Sequence, residues 1–448
     1  MSGALKNGKH MKVGLVSFCN DGYPRDTLNN WLDACRQLLA NYDLVDAGLV
    51  WDMTVAREKS PLLRGCDAIV VPCLSACGSA YSVEFLREYF HLPILLWMAG
   101  GEIEPSGRFI TGAAGAGFAS LRMPLQRMGA QRIMTLVGKP SDPATKKSLE
   151  RCMRVLNAYC SLRHATILMV GYSDLGFYSG TFDPQSVKKL LGTEIVHIPS
   201  LLLPQLMEQA AKTEIDDFVA RYADWTDGAG AKPGEIENIA RLYSALKQLI
   251  QMYHADGISV KCFEGFTLCS GFTPCIPLSV LGSEVCSACK CDINAMLSQL
   301  ILRYLTGEPA AFMEIYDVNN GNVLMANCGL TPCHHIVGCR HTDRFTWGNV
   351  DGIIDASQRR TGRATLLRLD RGTEGSYVMH CVCDEAVTAT AWKELGWDDP
   401  APAFPSIELR TDADAFMRNA LGQHYAVCYE DVADELRMLA ELLKIDYI

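Results

Sequence analysis

The sequence reads DGISVKCFEG at residues 256–265 and CSACKCDINAMLSQLILRYLTGEP at residues 286–309, a strand pattern followed by a helix pattern. The strand pattern ends at Glu264, and Asp292 opens the apolar helix, which a Gly-Glu-Pro stop signal closes. The ends of such elements are where folds expose their chemistry. Two carboxylates that converge there could bind a divalent cation or move protons. Asp292 taken alone could equally be an ordinary helix N-cap.

Strand and helix patterns alternate through the first half of the chain. Such alternation is typical of parallel strands joined by helices. We therefore predict an N-terminal, doubly wound α/β domain over residues 1–161. A second, smaller parallel α/β domain, over residues 162–284, carries Glu264. The predicted strands cover residues 12–18, 66–73, 92–99, 132–138, 165–172, 193–199 and 256–264.

The pattern changes beyond residue 310, where short β-rich runs alternate with turns. This change predicts a β-rich α+β domain over residues 285–448, with mixed or antiparallel strands. A helical pattern at 430–443 closes the chain.

Composition narrows the functional classes. The 448 residues are 49% hydrophobic and 21% charged, which is ordinary for a globular protein. A net charge of −10 argues against sequence-independent binding to nucleic acid. We find neither an apolar window of about 18 residues nor the apolar core of a signal peptide. We therefore expect a cytoplasmic protein without membrane or nucleic-acid partners.

The chain contains nineteen cysteines, and their spacing does not resemble a secreted disulfide scaffold. The simplest interpretation is that they are reduced, buried apolar residues. A structural metal site or a redox-active thiol pair are the alternatives. The cysteines that could serve either role are Cys286, Cys289, Cys291, Cys328, Cys333 and Cys339.

Three segments, VKCFEG (260–265), CDINAMLSQLILRYLTGEPAAF (291–312) and NGNVLMANCG (320–329), resemble the catalytic block of the L-fucose isomerase and L-arabinose isomerase superfamily. The closing segment QHYAVCYEDVADELRMLAELLKI (423–445) is similar to that family's end. The resemblance covers most of the chain. It implies two Rossmann-like doubly wound domains followed by a β-rich C-terminal domain, with the active site between the second and third.

The resemblance also implies a divalent metal, usually manganese, held by two carboxylates and a histidine. Glu264 and Asp292 match the carboxylates, and His424 matches the histidine. Such a donor set suits manganese. The implied reaction is aldose–ketose isomerisation of an open-chain sugar through an enediol(ate), with Glu264 and Asp292 sharing metal ligation and proton transfer. The family further implies a homo-oligomer, a trimer or hexamer, with sites completed across subunits.

Two residues depart from the family pattern. Lys290 stands where many members have an acidic residue, and Asn327 stands where the family often has a histidine. A buried lysine beside a metal opposes the cation unless it binds an anionic substrate group or is deprotonated. Asn327 can hydrogen-bond a sugar hydroxyl but cannot shuttle a proton. We therefore expect both residues to contact substrate, and we expect a substrate other than ordinary fucose or arabinose.

The loop after the first predicted strand supplies further candidates for substrate binding. Asp21, Tyr23 and Arg25 lie in this loop, at the strand end where α/β sheets bind ligands. An ordinary turn is the alternative. The loop Gly171–Phe177, after the first strand of the second domain, has a similar position.

Several other side chains are weaker candidates for site residues. Of the neighbours His334 and His335, at most one could face a pocket, because successive strand residues point to opposite faces. His380 in a β run is expected to be structural. Trp347 and Trp392 could stack on a sugar or could belong to a core or interface.

Two other functions remain open from the sequence. A carbon–carbon lyase or an epimerase could use the same metal–enediolate site. A non-catalytic sugar-binding relative could keep the fold without the chemistry.

Overall fold

The computed structural model describes residues 11–226, 230–338, 340–348, 350–390 and 406–448. The chain divides into two compact units, and the first runs to Ser161 and includes Glu435–Lys444. The second comprises Leu162–Asp434 and Ile445–Ile448. The change of unit after Ser161 coincides with the predicted end of the first domain. Among the described helices, none is both long and apolar enough to cross a membrane.

The first unit is built on a five-stranded parallel sheet in the order β2-β1-β3-β4-β7, as the alternating pattern predicts. Its central strand β3 reads AIVVPC and is buried along its whole length, because helices cover both faces of such sheets. Strand β2 was not among the predicted strands, since its sequence DLVDAGLV is broken by two aspartates and a glycine. The strands are β1 (Lys12–Phe18), β2 (Asp43–Val50), β3 (Ala68–Cys73), β4 (Ile94–Met98), β5 (Glu102–Ile103), β6 (Phe109–Ile110) and β7 (Ile133–Val137). The α-helices are Arg25–Leu38, Met53–Lys59, Ser79–Leu86, Ala114–Arg127, Pro143–Leu162 and Ala433–Leu443.

A buried carboxylate ties the last helix to the first unit. The side chain of Glu435 is 1% exposed and forms ion pairs with Arg151 and Arg154 of the helix Pro143–Leu162. A buried carboxylate requires such partners, because an unpaired charge away from water is costly. The C-terminal helix is therefore part of the first unit's core, although its sequence follows the β-rich region.

The second unit contains a four-stranded parallel sheet in the order β11-β10-β8-β9. Strand β10 ends at Val260, and Cys262–Thr267 form a π-helical turn. The prediction that the strand continues to Glu264 is therefore wrong. Strand β11 pairs with β10 just beyond residue 284, so the parallel sheet extends past the predicted domain boundary. The strands are β8 (Thr166–Val170), β9 (Glu194–Ile198), β10 (Gly257–Val260) and β11 (Cys286–Cys289). The α-helices of this region are Pro184–Leu191, Leu202–Glu208, Lys212–Thr226, Glu235–Tyr253, Leu268–Ser270, Cys275–Leu281 and Ile293–Thr306.

The β-rich region forms a closed antiparallel ring in the order β16-β19-β12-β13-β18-β17, with β17 pairing back to β16. Alternate residues of its strands, such as Met313, Leu366 and Tyr425, pack into one core. The predicted antiparallel β region is thereby confirmed. The strands are β12 (Ala311–Asn319), β13 (Asn322–Ala326), β14 (Thr342–Trp347), β15 (Val350–Asp355), β16 (Gly362–Arg371), β17 (Tyr377–Thr388), β18 (Ser406–Arg410), β19 (His424–Cys428) and β20 (Asp446–Tyr447), with the helix Ala413–Asn419 after β18.

The fold predicts a measurable cost for removing the charge of Glu435. Glu435→Gln should lower the free energy of unfolding by about 1–3 kcal/mol, because two arginines lose a charged acceptor. Glu441→Gln on the same helix is the control, since Glu441 is exposed. Urea denaturation of the purified variants measures the free energy of unfolding of each. Equal stability of the Glu435 variant and the wild-type protein would contradict this role.

Candidate active site

Asp292 lies between strand β11 and the helix Ile293–Thr306, and it caps that helix. Its Oδ1 accepts a hydrogen bond from the backbone N–H of Ala295 at 3.0 Å, as an N-cap should. The two preceding residues, Lys290 and Cys291, have positive φ angles of 63° and 52°. Residues other than glycine rarely adopt this left-handed conformation. The turn leaves the Asp292 carboxylate buried, with Oδ2 available to other partners.

A fully buried arginine on strand β16, Arg368, is the principal partner of Asp292. Its Nη1 donates to Asp292 Oδ2 at 2.7 Å and to the carbonyl oxygen of His424 at 2.9 Å. Its Nε donates to Asp370 Oδ2 at 3.0 Å, and Nη2 donates to the same oxygen and to the carbonyl oxygen of Ser179. All five N–H groups of the guanidinium therefore have acceptors.

This environment fixes the charge of Asp292. Burial alone would raise its pKa, but the Arg368 guanidinium and the hydrogen bond with His424 hold the pKa well below its usual range. Asp292 is therefore ionised at neutral pH. Because efficient proton transfer needs a pKa near the working pH, Asp292 in this arrangement is a weak base.

His424 opens strand β19 and is buried against the ring of Phe312, with ring centroids 4.6 Å apart. Its Nδ1 lies 2.8 Å from Asp292 Oδ2. Burial lowers the pKa of His424, so the neutral imidazole is favoured. Since the ionised carboxylate can only accept, Nδ1 carries the proton and Nε2 presents a lone pair. The Nε2 atom lies 3.3 Å from Gln423 Nε2 and 3.9 Å from Glu314 Oε1.

Glu314 on strand β12 joins Lys290 to the same group of side chains. Lys290 Nζ lies 2.9 Å from Glu314 Oε2 and 3.2 Å from Oε1, and Gln423 Nε2 donates to Oε1 at 3.0 Å. Burial alone would lower the pKa of Lys290, but the Glu314 carboxylate raises it above its usual range. Lys290 is therefore a fixed cation. Its ammonium is paired within the protein, and its predicted contact with substrate stays a prediction.

Glu264 lies in the turn Cys262–Thr267, and its side chain is 51% exposed. Its Oε2 accepts a hydrogen bond from the backbone N–H of Leu175 at 3.1 Å and lies 3.8 Å from Lys261 Nζ. Buried Asp174 holds this turn, because its carboxylate accepts from the backbone N–H of Glu264 at 2.9 Å and of the preceding residue. Glu264 is therefore a reachable carboxylate in a defined position.

The residues that the resemblance assigns to manganese are gathered only in part. Asp292 and His424 are in contact, whereas Glu264 hydrogen-bonds to Leu175. Both oxygens of Asp292 already accept protein donors, Oδ1 from Ala295 and Oδ2 from Arg368 and His424. Within the described part of the chain, no group of three or more His, Cys, Asp or Glu side chains could hold a metal ion. This arrangement does not fit bound manganese.

Asn327 forms hydrogen bonds within the protein. Its Nδ2 donates to the carbonyl oxygen of Phe312 at 3.0 Å. Its Oδ1 accepts from the backbone N–H groups of Gly329 and Leu330 at 3.0 and 2.8 Å. These bonds shape the loop after β13 and link it to the residue stacked on His424. A contact between Asn327 and a sugar stays a prediction.

The loop residues predicted from the first strand lie in the first unit. Asp21 and Arg25 form an exposed ion pair, and the Arg25 guanidinium lies 3.9 Å from the centroid of the Trp51 ring. Tyr23 is partly exposed in the same turn. A surface position agrees with either a substrate contact or an ordinary turn, so their binding role stays a prediction.

Two other histidines have structural surroundings. His335 Nε2 contacts the carbonyl oxygen of Pro309 at 2.7 Å, and His380 Nδ1 contacts the Tyr425 hydroxyl at 2.6 Å. Burial lowers the pKa of each to about 4. His334 is exposed. These surroundings agree with the structural role expected of His380.

Burial agrees with the simplest interpretation of the cysteines. Cys286, Cys289, Cys291 and Cys328 are all reduced and buried. Cys339 and Trp392 lie outside the described residues, as do the side chains of Cys333 and Trp347.

Three charged residues of the candidate active site were not predicted from the sequence, namely Asp174, Glu314 and Arg368. Each is a charged residue in or beside a segment of apolar pattern. In an antiparallel strand such residues usually face solvent. The loop containing Asp174 had been marked as a candidate, but its carboxylate had not.

Comparison with known proteins supplies the enzyme class. No family model matches the chain. The chain is 24% identical over 403 residues to a sulfoquinovose isomerase of Clostridium sp. (strain MSTE9), which covers 84% of this chain and 85% of the relative. Sulfoquinovose isomerases of Priestia aryabhattai and Alkalicoccus urumqiensis are each 21% identical, over 85% of this chain. The similarity supports the predicted class of aldose–ketose isomerase.

The site predicts a large stability cost for loss of the buried guanidinium. Arg368→Met should lower the free energy of unfolding by about 3–5 kcal/mol, because Asp292 and Asp370 would keep buried, unpaired charges. Asp292→Asn added to this variant should restore part of the loss. Arg371→Met on the same strand, at an exposed position, is the control. Additive effects of the Arg368 and Asp292 changes in urea denaturation would argue against their coupling.

The buried histidines predict a pH dependence of stability. The pKa of His335 is about 4 in the folded protein and about 6.5 in an unfolded chain. Between these values the unfolded state binds a proton that the folded state does not. The free energy of unfolding should therefore fall as pH decreases from about 6.5 to 4, by about 1.4 kcal/mol per pH unit for each such histidine. His335→Gln should reduce this slope, whereas His164→Gln at an exposed position should not.

Proposed function

We propose that the protein is an aldose–ketose isomerase that acts on sulfoquinovose or a closely related aldose with an anionic group. The observation that carries this proposal is the 2.8 Å contact between Asp292 and His424. These residues are 132 positions apart in the sequence, and the family resemblance assigns both to one active site. Similarity to sulfoquinovose isomerases over most of the chain supports the substrate class. Sulfoquinovose carries a sulfonate, which agrees with the expectation of an anionic substrate.

The proposed reaction moves a proton between the two carbons that exchange the carbonyl group. A base removes the proton beside the aldehyde, an enediol(ate) forms, and the proton returns to the neighbouring carbon. Glu264 is our choice for this base, because its half-exposed side chain can be reached by a sugar. Asp174 and Leu175 hold it in place through the hydrogen bonds described above.

Asp292 acts in this proposal as a positioning residue. It is too weak a base in this arrangement to take the proton itself. Its ionised carboxylate instead orients His424 and fixes the proton on Nδ1, so that Nε2 can accept a hydrogen bond or a proton from a substrate hydroxyl. The pairing of a carboxylate with the far nitrogen of a working imidazole is a recurrent arrangement in enzymes.

Lys290 and Glu314 supply the electrostatics near Nε2. The fixed ammonium of Lys290 lies in a buried setting, where a charge acts more strongly than in water. It can stabilise negative charge that develops on the substrate oxygens. Glu314, held by Lys290 and Gln423, places a carboxylate oxygen 3.9 Å from His424 Nε2 and adds negative charge beside the imidazole.

Manganese bound by Glu264, Asp292 and His424 stays a prediction of the resemblance, as do a trimeric or hexameric state and a cytoplasmic location. The donors around Asp292 leave it no free oxygen in the described arrangement, so we assign no step to a metal. Elemental analysis and light scattering of the purified protein address metal content and oligomeric state directly.

Deuterium exchange followed by NMR tests the proposed reaction. In D2O the protein should convert sulfoquinovose to a ketose and place deuterium at the carbons that exchange the carbonyl. Glucose, which lacks the sulfonate, should react at least about ten times more slowly, a difference of about 1.4 kcal/mol in transition-state binding. Glu264→Gln should lower the rate about 10²–10⁴-fold, the usual contribution of a general base.

The same spectra separate the rival functions. Deuterium at C2 with an epimeric aldose and no ketose would identify an epimerase. Shorter carbon fragments would identify a lyase. Binding of sulfoquinovose without any exchange would identify a non-catalytic sugar-binding protein. Glu441→Gln changes an exposed residue of the first unit and is the matched control for effects of preparing a Glu-to-Gln variant.

A further inference from the structure

Four cysteines line one cavity in the second unit. Its wall includes Cys262, Cys275, Cys289 and Cys328 together with Phe263. These cysteines come from separate segments of the chain, so their meeting results from the fold. Cys289 and Cys328 are among the cysteines for which the sequence leaves a metal or redox role open, whereas Cys262 and Cys275 are not.

Three of these thiols are linked by side-chain hydrogen bonds that meet at Cys289. Cys289 at the end of β11 shares a side-chain hydrogen bond with Cys328, which follows β13, and another with Cys262. Cysteines that line one cavity and share a hydrogen bond are candidates for a disulfide. Other buried cysteines hydrogen-bond to backbone carbonyls instead. Cys291, for example, lies 3.3 Å from the carbonyl oxygen of Val170.

Cys328, which lies near the Lys290 ammonium, differs from ordinary buried thiols. The hydrogen bond from Cys289, followed by the Lys290 ammonium, lowers the pKa of Cys328 despite burial. Burial raises the pKa of Cys35 and Cys428 to about 12. A thiolate is the reactive form of cysteine, and a nearby cation favours it.

We propose that Cys289 and Cys328 are a site of reversible oxidation, and that hydrogen peroxide converts them to a disulfide. The hydrogen bond between the two thiols and the cavity beside them carry this proposal. Phe263 in the cavity wall is partly exposed and Glu264 next to it is exposed, so this wall of the cavity borders the protein surface. No group of three or more ligating side chains in the described part of the chain could hold a metal ion, which favours oxidation over metal binding.

The chemistry balances with peroxide as the oxidant. The Cys328 thiolate attacks one peroxide oxygen, the O–O bond breaks, and a sulfenic acid and hydroxide form. The Cys289 sulfur then attacks the sulfenic sulfur, the S–O bond breaks, and the leaving hydroxide takes the thiol proton to become water. The first hydroxide takes the proton that Cys328 released on ionisation, so in sum two thiols are oxidised to one disulfide and one peroxide is reduced to two waters.

The bond would join two segments that border the candidate active site. Cys289 precedes Lys290, the partner of Glu314. Cys328 follows Asn327, whose side chain bonds to the residue stacked on His424. A strain on either segment should disturb these contacts. We therefore expect oxidation to reduce isomerase activity and dithiothreitol to restore it, an expectation that rests on the proposed function.

Peptide mapping of the wild-type protein tests the proposal without reference to activity. After brief exposure to peroxide, alkylation and proteolysis should recover a linked Cys289–Cys328 peptide that dithiothreitol separates. The loss of these two thiols should be at least about ten times faster than that of buried Cys286 on the same strand, because thiolate content governs the rate. Oxidation of exposed Cys269 alone, or a bond between Cys289 and Cys262, would overturn it.

Variants separate oxidation from its effect on activity. Cys328→Ser should abolish the linked peptide and protect activity from peroxide, whereas Cys286→Ser should change neither. If Cys328→Ser does not fold, the peptide map of the wild-type protein still decides. A linked peptide in a protein that isomerises no sugar would support the thiol pair and reject the proposed function. An active isomerase without the linked peptide would do the reverse.

Discussion

The buried guanidinium of Arg368 is the constraint on which the candidate active site depends. A charge away from water is tolerated only when its hydrogen bonds are complete. Arg368 meets this condition with two carboxylates and two backbone carbonyl oxygens. Those acceptors come from strand β16, the loop containing Ser179, the N-terminus of the helix Ile293–Thr306 and strand β19. One side chain thereby fixes four segments of the second unit relative to one another.

The chemistry of the site follows from that constraint. Because Arg368 keeps Asp292 ionised, Asp292 can hold the proton of His424 on Nδ1, and the buried imidazole stays neutral. The lone pair on Nε2 then lies 3.3 Å from the amide nitrogen of Gln423, and Glu314, which Lys290 keeps in place, lies 3.9 Å from Nε2. Glu264 lies on a separate turn held by Asp174. The arrangement assigns positioning to Asp292 and leaves proton transfer to Glu264 and His424.

Much of the fold could be predicted, because its signals are local. Buried parallel strands such as β3 and β4 are continuous apolar runs between turn residues, and the helix after Asp292 has both a cap and a stop signal. Strand β2 lacked such a signal, since charges interrupt it. The turn Cys262–Thr267 begins with residues that the sequence predicts as strand up to Glu264, because its apolar residues continue those of β10. The carboxylate of Asp174, about 90 residues away, holds this turn through hydrogen bonds. The periodicity of the sequence gives no information about hydrogen bonds between such distant residues.

The candidate site could be predicted only in part, for the same reason. Asp292 and His424 were paired through a family resemblance, and the fold does bring them into contact. Arg368, Glu314 and Asp174 act through partners distant in sequence, so no spacing rule reveals them. Lys290 departs from the family pattern, and its ammonium pairs with Glu314, a contact that the sequence does not reveal. In each case the sequence does not show which buried charged side chains contact each other.

Nitrogen-15 NMR of histidine-labelled, metal-free protein tests the central claim most directly. The signal of His424, assigned by its loss in His424→Gln, should show a neutral imidazole with the proton on Nδ1 at pH 7. It should remain neutral as the pH is lowered through 6.5, where an exposed histidine gains a proton. An imidazolium at pH 7, or a proton on Nε2, would contradict the account, because Asp292 would then not set the state of His424.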